Sequence, residues 1–506
     1  MKKSLVDKVL LIVPVLIIVS VALLLIFSPE GTYDVIASLR VLIGDMLSSY
    51  YLIIGLAFIL IILGLSFSKY GKIKLGEGEP AYSTFTWGSM IFTSTMAADI
   101  VFYSFHEWAY YYQGNTLSEA QLSSSTYPLF HWGPIPWAFY VLPALAYAYL
   151  MHRKSQNVYR LSDACDISLV VPAGSWKPRK REIILKKIID IFAMLAMLAA
   201  AATTFSVATP LMAEALCRLL HIGHTTSVIS VLILSLIAFT YIVAVLFHMK
   251  GISKVATWCV YIFGALVLCI LLNSNLQYTI ETSLTGLGNL LNNFLRLSTE
   301  TGSLRLASVE GSTFTQDYTV FYWSYWIAWA LCTPLFIARI SKGRTIRNIG
   351  IGALLAGISG TFTSFIVYGN FGLYHQVSGN FDMVGKLASG ASYSQVIVEL
   401  IETQTFMPTV ILLLLFISML AFYTSTFDTL TLIMSQYVGI EYNEHPPKKL
   451  KIYWGFVFII LPISLLFTGG TSSALQSLSI IAALPISIIF LRIIYVFLKN
   501  LRAENL

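Results

Sequence analysis

Apolar stretches of about 20 residues recur from one end of this chain to the other, which is the length a helix needs to cross a bilayer. No soluble core accommodates them: 57% of the 506 residues are hydrophobic and only 11% are charged. A membrane-spanning backbone must satisfy its own polar groups, so only helices or a closed barrel can cross. Long runs without strict alternation predict helices. We read twelve spans, near residues 9–27, 51–67, 90–112, 130–151, 188–208, 227–248, 255–272, 319–340, 349–368, 408–434, 452–467 and 475–496.

Cations fix the orientation, because short loops rich in Lys and Arg stay on the cytoplasmic side. Lys2 and Lys3 come first. Lys69, Lys72 and Lys74, then Arg153 and Lys154 with Lys177 and Lys187, then Lys250 and Lys254, Arg339 to Arg347, Lys448 to Lys451, and Lys499 with Arg502 follow on alternate loops. This pattern predicts a multi-pass protein of the plasma membrane with both termini cytoplasmic. The net charge of +7 is then a topology signal and does not point to nucleic acid. The first apolar run starts close to Met1 and lacks a small-residue cleavage site, so it is expected to be a retained span. Five cysteines, Cys165, Cys217, Cys259, Cys269 and Cys332, are scattered singly, without metal-ligand spacing or a disulfide framework. The chain carries no P-loop, phosphate cradle or nucleophile elbow, which argues against an enzyme and against ATP-driven transport.

The expected organisation is two N-terminal spans (1–80), a first set of five (81–275), a connector (276–318), a second set of five (319–498) and a tail (499–506). The connector segment SLTGLGNLLNNFLRL is amphipathic and expected to lie at the outer interface. An odd number of spans per set inverts the second set relative to the first, the layout of inverted-repeat secondary transporters, in which the first span of each set lines the substrate site. In the second set that span begins FYWSYWIAWALCTPLFIARISKGRTIR at position 321. On a helix, Tyr322, Tyr325, Trp326 and Trp329 fall at i, i+3, i+4 and i+7, one aromatic face able to close around a cation. The matching span of the first set carries Asp99, an acid whose insertion costs about 2.5–3.5 kcal/mol and whose default reading is functional. No Lys or Arg lies mid-span to pair with it.

The segment WSYWIAWALCTPLFIARISKGRTIR resembles the signature of the betaine/choline/carnitine transporter (BCCT) family. FHWGPIPWAFY at 130–140 and STMAADIVFYSFHEW at 94–108 resemble that family's fourth and third spans, and with the late GGTSSALQ turn the resemblance covers essentially the whole chain. It implies an all-α membrane protein with LeuT-like inverted five-helix repeats preceded by two extra helices, about twelve transmembrane helices in all, embedded in lipid and assembled as a homotrimer. It also implies an aromatic box for a trimethylammonium head, built from Tyr110, Trp132, Trp137, Tyr140, Tyr322, Tyr325 and Trp326, with Tyr111 and Tyr112 in the outer interfacial belt. The chemistry is sound on its own terms: a quaternary ammonium has no N–H to donate, so ring faces, worth about 0.5–2 kcal/mol each, and fixed negative charge must recognise it.

Where relatives carry a GMGIG-like stretch, this chain has Thr95-Met96-Ala97-Ala98-Asp99. The lost glycines argue against local unwinding. The acid would repel a carboxylated substrate but not choline, and the resemblance implies choline too, because choline-carrying members tend to have an acid here. Matched positions make Thr93, Met96, Phe422, Ser425 and Thr426 a candidate sodium site, and no other cofactor is expected. Sodium coupling, proton coupling and exchange stay open, with Asp428 as a second intramembrane acid serving either scheme. Cys259 stands where sodium-independent exchangers have an arginine, although HWGPIPW and EWAYYY look more like exchangers. Arg339, Arg344 and Arg347 are expected to anchor the eighth span and form gating ion pairs. Short termini point to a nutrient role rather than osmotic sensing. The leading expectation is a secondary transporter importing choline or a related quaternary amine by alternating access; the alternative is an ion-independent carnitine/betaine exchanger.

Overall fold

A computed structural model describes residues 6–114, 116–166, 180–222, 224–246, 252–308, 312–468 and 472–504, without the side chains of 244, 252–257 and 472–476. Lys2, Lys3, Lys177 and Lys250, the side chain of Lys254 and the start of the GGTSSALQ run lie outside the described residues. Among the described residues the chain is helical, with isolated bridges in place of strands. The helices are α1 (Lys8–Phe27), α2 (Pro29–Arg40), α3 (Ser48–Phe67), α4 (Thr84–Thr93), α5 (Ala98–Tyr110), α6 (Leu117–His131), α7 (Pro134–Ala148), α8 (Lys180–Leu219), α9 (Ser227–Leu246) and α10 (Ile252–Leu272). They continue as α11 (Leu276–Thr299), α12 (Phe321–Trp329), α13 (Thr333–Ile340), α14 (Ile346–Ser364), α15 (Asn370–Val377), α16 (Met383–Ala388), α17 (Tyr393–Glu402), α18 (Pro408–Val438), α19 (Lys448–Phe467) and α20 (Ser472–Arg502). Local signals set their starts. The Asp7 carboxylate accepts from the Val9 amide at 3.0 Å, the Asn275 side chain from the Tyr278 amide at 3.0 Å, and prolines open α2, α7 and α18.

Among the described residues, seven helical stretches are long and apolar enough to cross a membrane, and nine are if two bent pairs each count once. The other three expected spans fall on the split α4 and α5, on the alanine-rich α8, and on α9. A multi-pass, all-helical membrane architecture follows. The amphipathic connector is α11, turned 105° from the preceding helix.

Two expected continuous spans are broken. The third stops at Thr93 and resumes at Ala98, contrary to the expectation that loss of glycine would keep it wound. Hydroxyls reinforce the frayed end: Thr93 donates to the Met90 carbonyl (3.1 Å), Ser94 to Ile91 (2.6 Å) and Thr95 to Phe92 (2.7 Å), each beside a backbone amide that bonds the same carbonyl. The opposing α14 presents Gly360, where an added Cβ would stand 2.4 Å from the Thr95 hydroxyl and 2.8 Å from the Phe92 carbonyl oxygen. The eighth span bends by 54° between Trp329 and Thr333. Pro334 lacks the N–H that would bond the Ala330 carbonyl, so the helix ends there and restarts as α13. Both breaks fall in the first span of an expected set of five, and α5 and α12 both pack on α8.

Candidate functional site

A cavity of about 580 Å³ lies between these two broken helices, closed on its other sides by α7, α8, α10 and α18. Asp99 occupies the first turn of α5, where the positive end of the half-helix favours a carboxylate. It is 6% exposed and fully engaged: Oδ1 accepts from the Ile100 amide (3.0 Å), and Oδ2 accepts from Thr204 (3.2 Å) and from the Tyr325 hydroxyl. The Thr204 and Tyr325 oxygens also lie 2.5 Å apart. With one proton each beside an ionised Asp99, the two hydroxyls make two of the three contacts within this trio at a time. Asp99 takes part in no ion pair among the described residues. A buried carboxyl bonded only by hydroxyl and amide donors, with no cation beside it among the described residues, is an acid without a charge partner in the wall of the cavity.

The rings converge on Trp326. Its centroid is 4.7 Å from Tyr140, 5.5 Å from Trp137 and 5.6 Å from Trp132, with Trp137 and Tyr140 themselves 5.6 Å apart. Trp137 sits flush on α14, where a Cβ at Gly357 would come 2.3 Å from its ring. The indole N–H groups of Trp326 and Trp329 are buried without a hydrogen-bond partner, two donors available to an oxygen-bearing ligand. Asp99, Trp132, Trp137, Tyr140, Tyr325, Trp326 and Trp329 all line the cavity. So do Thr93, Met96, Phe422, Ser425 and Thr426, whose hydroxyls, with backbone carbonyls, are hard oxygen donors of the kind an alkali cation takes. The cavity reaches the surface at exposed Arg339.

Two expected box residues lie elsewhere. Tyr110, at the far end of α5, bonds His106 (3.2 Å) and packs on Tyr318 and Tyr393. Tyr322 is fully buried behind the box, against Tyr103, His131 and Trp132. Helical spacing put Tyr322 on the same face as Trp326, but it lies one turn further from the α12 break, so the tier of rings at Trp132 separates it from the cavity. Tyr111 is not in an interfacial belt: at 1% exposure its hydroxyl bonds Glu107 and His131. The expected gating ion pairs are also replaced. Arg344 bonds the Tyr82 carbonyl (2.9 Å) and lies over the Trp87 ring, Arg347 bonds the Ser66 carbonyl (2.7 Å), and Arg339 lies over Tyr442. Asp428 does not line the cavity; it pairs with Lys451 at 2.9 Å and accepts from Tyr241 at 3.3 Å, tying α18 to α19 and α9.

Sequence reasoning missed Thr204 and the buried Glu107. Thr204 sits in an alanine-rich stretch beside Thr203, which makes the ordinary backbone bond to Ala199 (3.1 Å), and nothing local distinguishes the two. Glu107 was readable as an acid two turns along from Asp99 on the same helix.

A family model described as "BCCT, betaine/carnitine/choline family transporter" matches residues 9–506. The chain is 28% identical to a carnitine transporter of Acinetobacter baumannii over 96% of its length and 87% of that protein's. It is 29% identical to the glycine betaine transporter OpuD of Bacillus subtilis, covering 95% of this chain and 91% of that one. It is 26% identical to the osmo-dependent choline transporter BetT2 of Acinetobacter baylyi, over 92% of this chain and 66% of that protein.

Proposed function

This chain belongs to the BCCT family of betaine, carnitine and choline transporters, and from that premise we propose that it imports choline, or a close quaternary ammonium compound, by alternating access. The carrying observation is Asp99: an unpaired, buried carboxylate in the wall of an aromatic cavity. A cation with no N–H groups is held there by ring faces and balanced by one fixed charge. Trp132, Trp137, Tyr140 and Trp326 form the box in this reading, Tyr325 and Thr204 aim the carboxylate, and the free indole N–H groups of Trp326 and Trp329 suit an oxygen such as choline's hydroxyl. Tyr110 and Tyr322 act behind the box. A carboxylated substrate would bring like charges together at Asp99 at a cost of several kcal/mol.

Thr93, Met96, Phe422, Ser425 and Thr426 are the proposed sodium-binding residues; a bound cation there would supply charge and a coupling gradient. In this reading the protein sits in the plasma membrane with both termini cytoplasmic, a lipid-embedded homotrimer of twelve spans in LeuT-like inverted repeats that acts as a carrier and not as an enzyme. A second reading is ion-independent carnitine or betaine exchange, for which the relative named as a carnitine transporter speaks to the substrate alone. Uptake of labelled choline against labelled glycine betaine in proteoliposomes, with and without sodium, separates them. Choline preference without need of internal substrate supports import, whereas betaine or carnitine uptake that requires internal substrate supports exchange.

A further inference from the structure

Glu107 has no role in the box, yet it is fully buried, and the only ion pair it makes among the described residues is with His131, at 3.6 Å. Its Oε2 accepts from the Trp132 indole N–H at 2.5 Å and its Oε1 from the Tyr111 hydroxyl at 2.8 Å. The same hydroxyl lies 2.8 Å from His131 Nδ1, and His131 Nε2 lies 2.9 Å from the Thr319 hydroxyl. These contacts form one chain running from α5 through the end of α6 to the turn that leads into α12.

The chain can be satisfied in two ways. With Glu107 ionised, Thr319 donates to Nε2, Nδ1–H donates to the Tyr111 oxygen, and Tyr111 donates to Glu107, so every donor points toward the carboxylate. With one more proton, Glu107 O–H donates to the Tyr111 oxygen, Tyr111 donates to Nδ1, and Nε2–H donates to Thr319, so every bond points the other way. No partner is lost in either arrangement. Trp132 can only donate, and bonds Glu107 in both.

We propose that Glu107, Tyr111 and His131 form a proton-binding site antagonistic to a cation in the aromatic box. The step balances as a relay: the carboxyl proton passes to the Tyr111 oxygen as the Tyr111 proton passes to Nδ1, the Nε2 proton passes to the Thr319 oxygen, and the Thr319 proton leaves to water, so one proton is released and the three hydrogen bonds reverse. The cation on the Trp132 face stabilises the anion bonded to the edge of the same indole, so binding and proton loss strengthen each other reciprocally. The other groups facing Glu107 are Tyr103 and Tyr110 on its own helix, Tyr318 in the turn before α12, and Tyr322 on α12. Only His131 among these neighbours can become cationic. Asp99, two turns along α5, is the nearest rival acid.

This inference rests on the quaternary-ammonium reading of the box, and its test separates the two. Labelled choline is titrated against purified protein in detergent between about pH 5 and 8, with proton release followed by an indicator dye in weak buffer, and 3,3-dimethylbutan-1-ol serves as the uncharged isostere. The expected result is choline affinity that rises with pH, by up to about tenfold per unit, with proton release for choline and none for the isostere. Glu107→Gln should flatten both while leaving isostere binding in place. If that variant does not fold, Tyr111→Phe, which cuts the chain, should weaken the pH slope instead. A slope unchanged in whichever variant folds, or one abolished by Asp99→Asn and retained in Glu107→Gln, overturns the proposal. Choline binding that is tight but independent of pH overturns it alone, whereas no preference for choline over the isostere overturns the reading of the box as well.

Discussion

Asp99 gains its orientation from two hydroxyls and one amide, so the carboxylate is aimed before any cation arrives. Asp99→Asn removes the charge and keeps one of the two oxygen acceptors, an NH2 group standing in place of the other. Choline uptake should fall at least about tenfold, as loss of one close charge pair implies, while glycine betaine uptake holds or rises; a parallel fall in both would exclude Asp99 as the charge partner. Thr204→Val removes one hydrogen bond to Asp99 and should weaken choline binding about tenfold or more, in line with about 1.5–3 kcal/mol for a hydrogen bond to a charged group. Competition binding on the purified variant measures it. Asp99 stood out in the sequence because an acid in an apolar run is rare, and the ring at Trp326 because four aromatics share a helical face. Thr204 did not, since a helical hydroxyl is by default bonded to its own backbone, as Thr203 is. Its difference lies in what α8 faces.

At the scale of elements, the two broken spans build the site, and they break for different reasons. In the eighth, Pro334 marks the break in the sequence itself, although the aromatic stripe invites reading the span as one rod. In the third, the usual mark is missing: there is no glycine or proline between Thr93 and Ala98. Three successive hydroxyls turned back on their own helix were legible only once the break had been seen. Gly360 is the counterpart on α14, and Gly360→Ala should force the break open or shift α14, costing about 1–3 kcal/mol as overpacking does. Thermal unfolding in detergent reads the loss. Wild-type stability in that variant would mean the two helices are less tightly apposed than described.

Over the whole molecule, loop charges were enough to read a multi-pass chain. The number of spans was harder to read, because alanine-rich α8 is less apolar than α1 or α18 and the split α4 and α5 are each too short to cross alone. The cavity gives a test at this scale. Cys259 and Cys332 line it, while Cys165 and Cys217 are 1% and 2% exposed outside it. A trimethylammonium-bearing thiol reagent should label the first two, Cys332 foremost, and choline should protect them; mass spectrometry of labelled peptides decides. A pH-dependent contact ties the end of the described chain to the loop after α7. Burial opposes ionisation of Glu504, but hydrogen bonds from Arg153 and Tyr149 outweigh it and hold its carboxyl below the usual range. A depressed carboxyl contributes above its unfolded value and is lost as pH falls through the folded one. The contact should therefore hold through mild acid and be lost only below the usual carboxyl range, read as faster hydrogen exchange at the Ala503 amide after correction for its intrinsic rate.

The three hydroxyls at the break of the third span carry a mechanical consequence. A helix that breaks inside a bilayer leaves carbonyls in search of donors wherever the break travels. Here the side chains of Thr93, Ser94 and Thr95 move with the carbonyls they bond, so the joint at the cavity wall can flex while those acceptors keep a second partner.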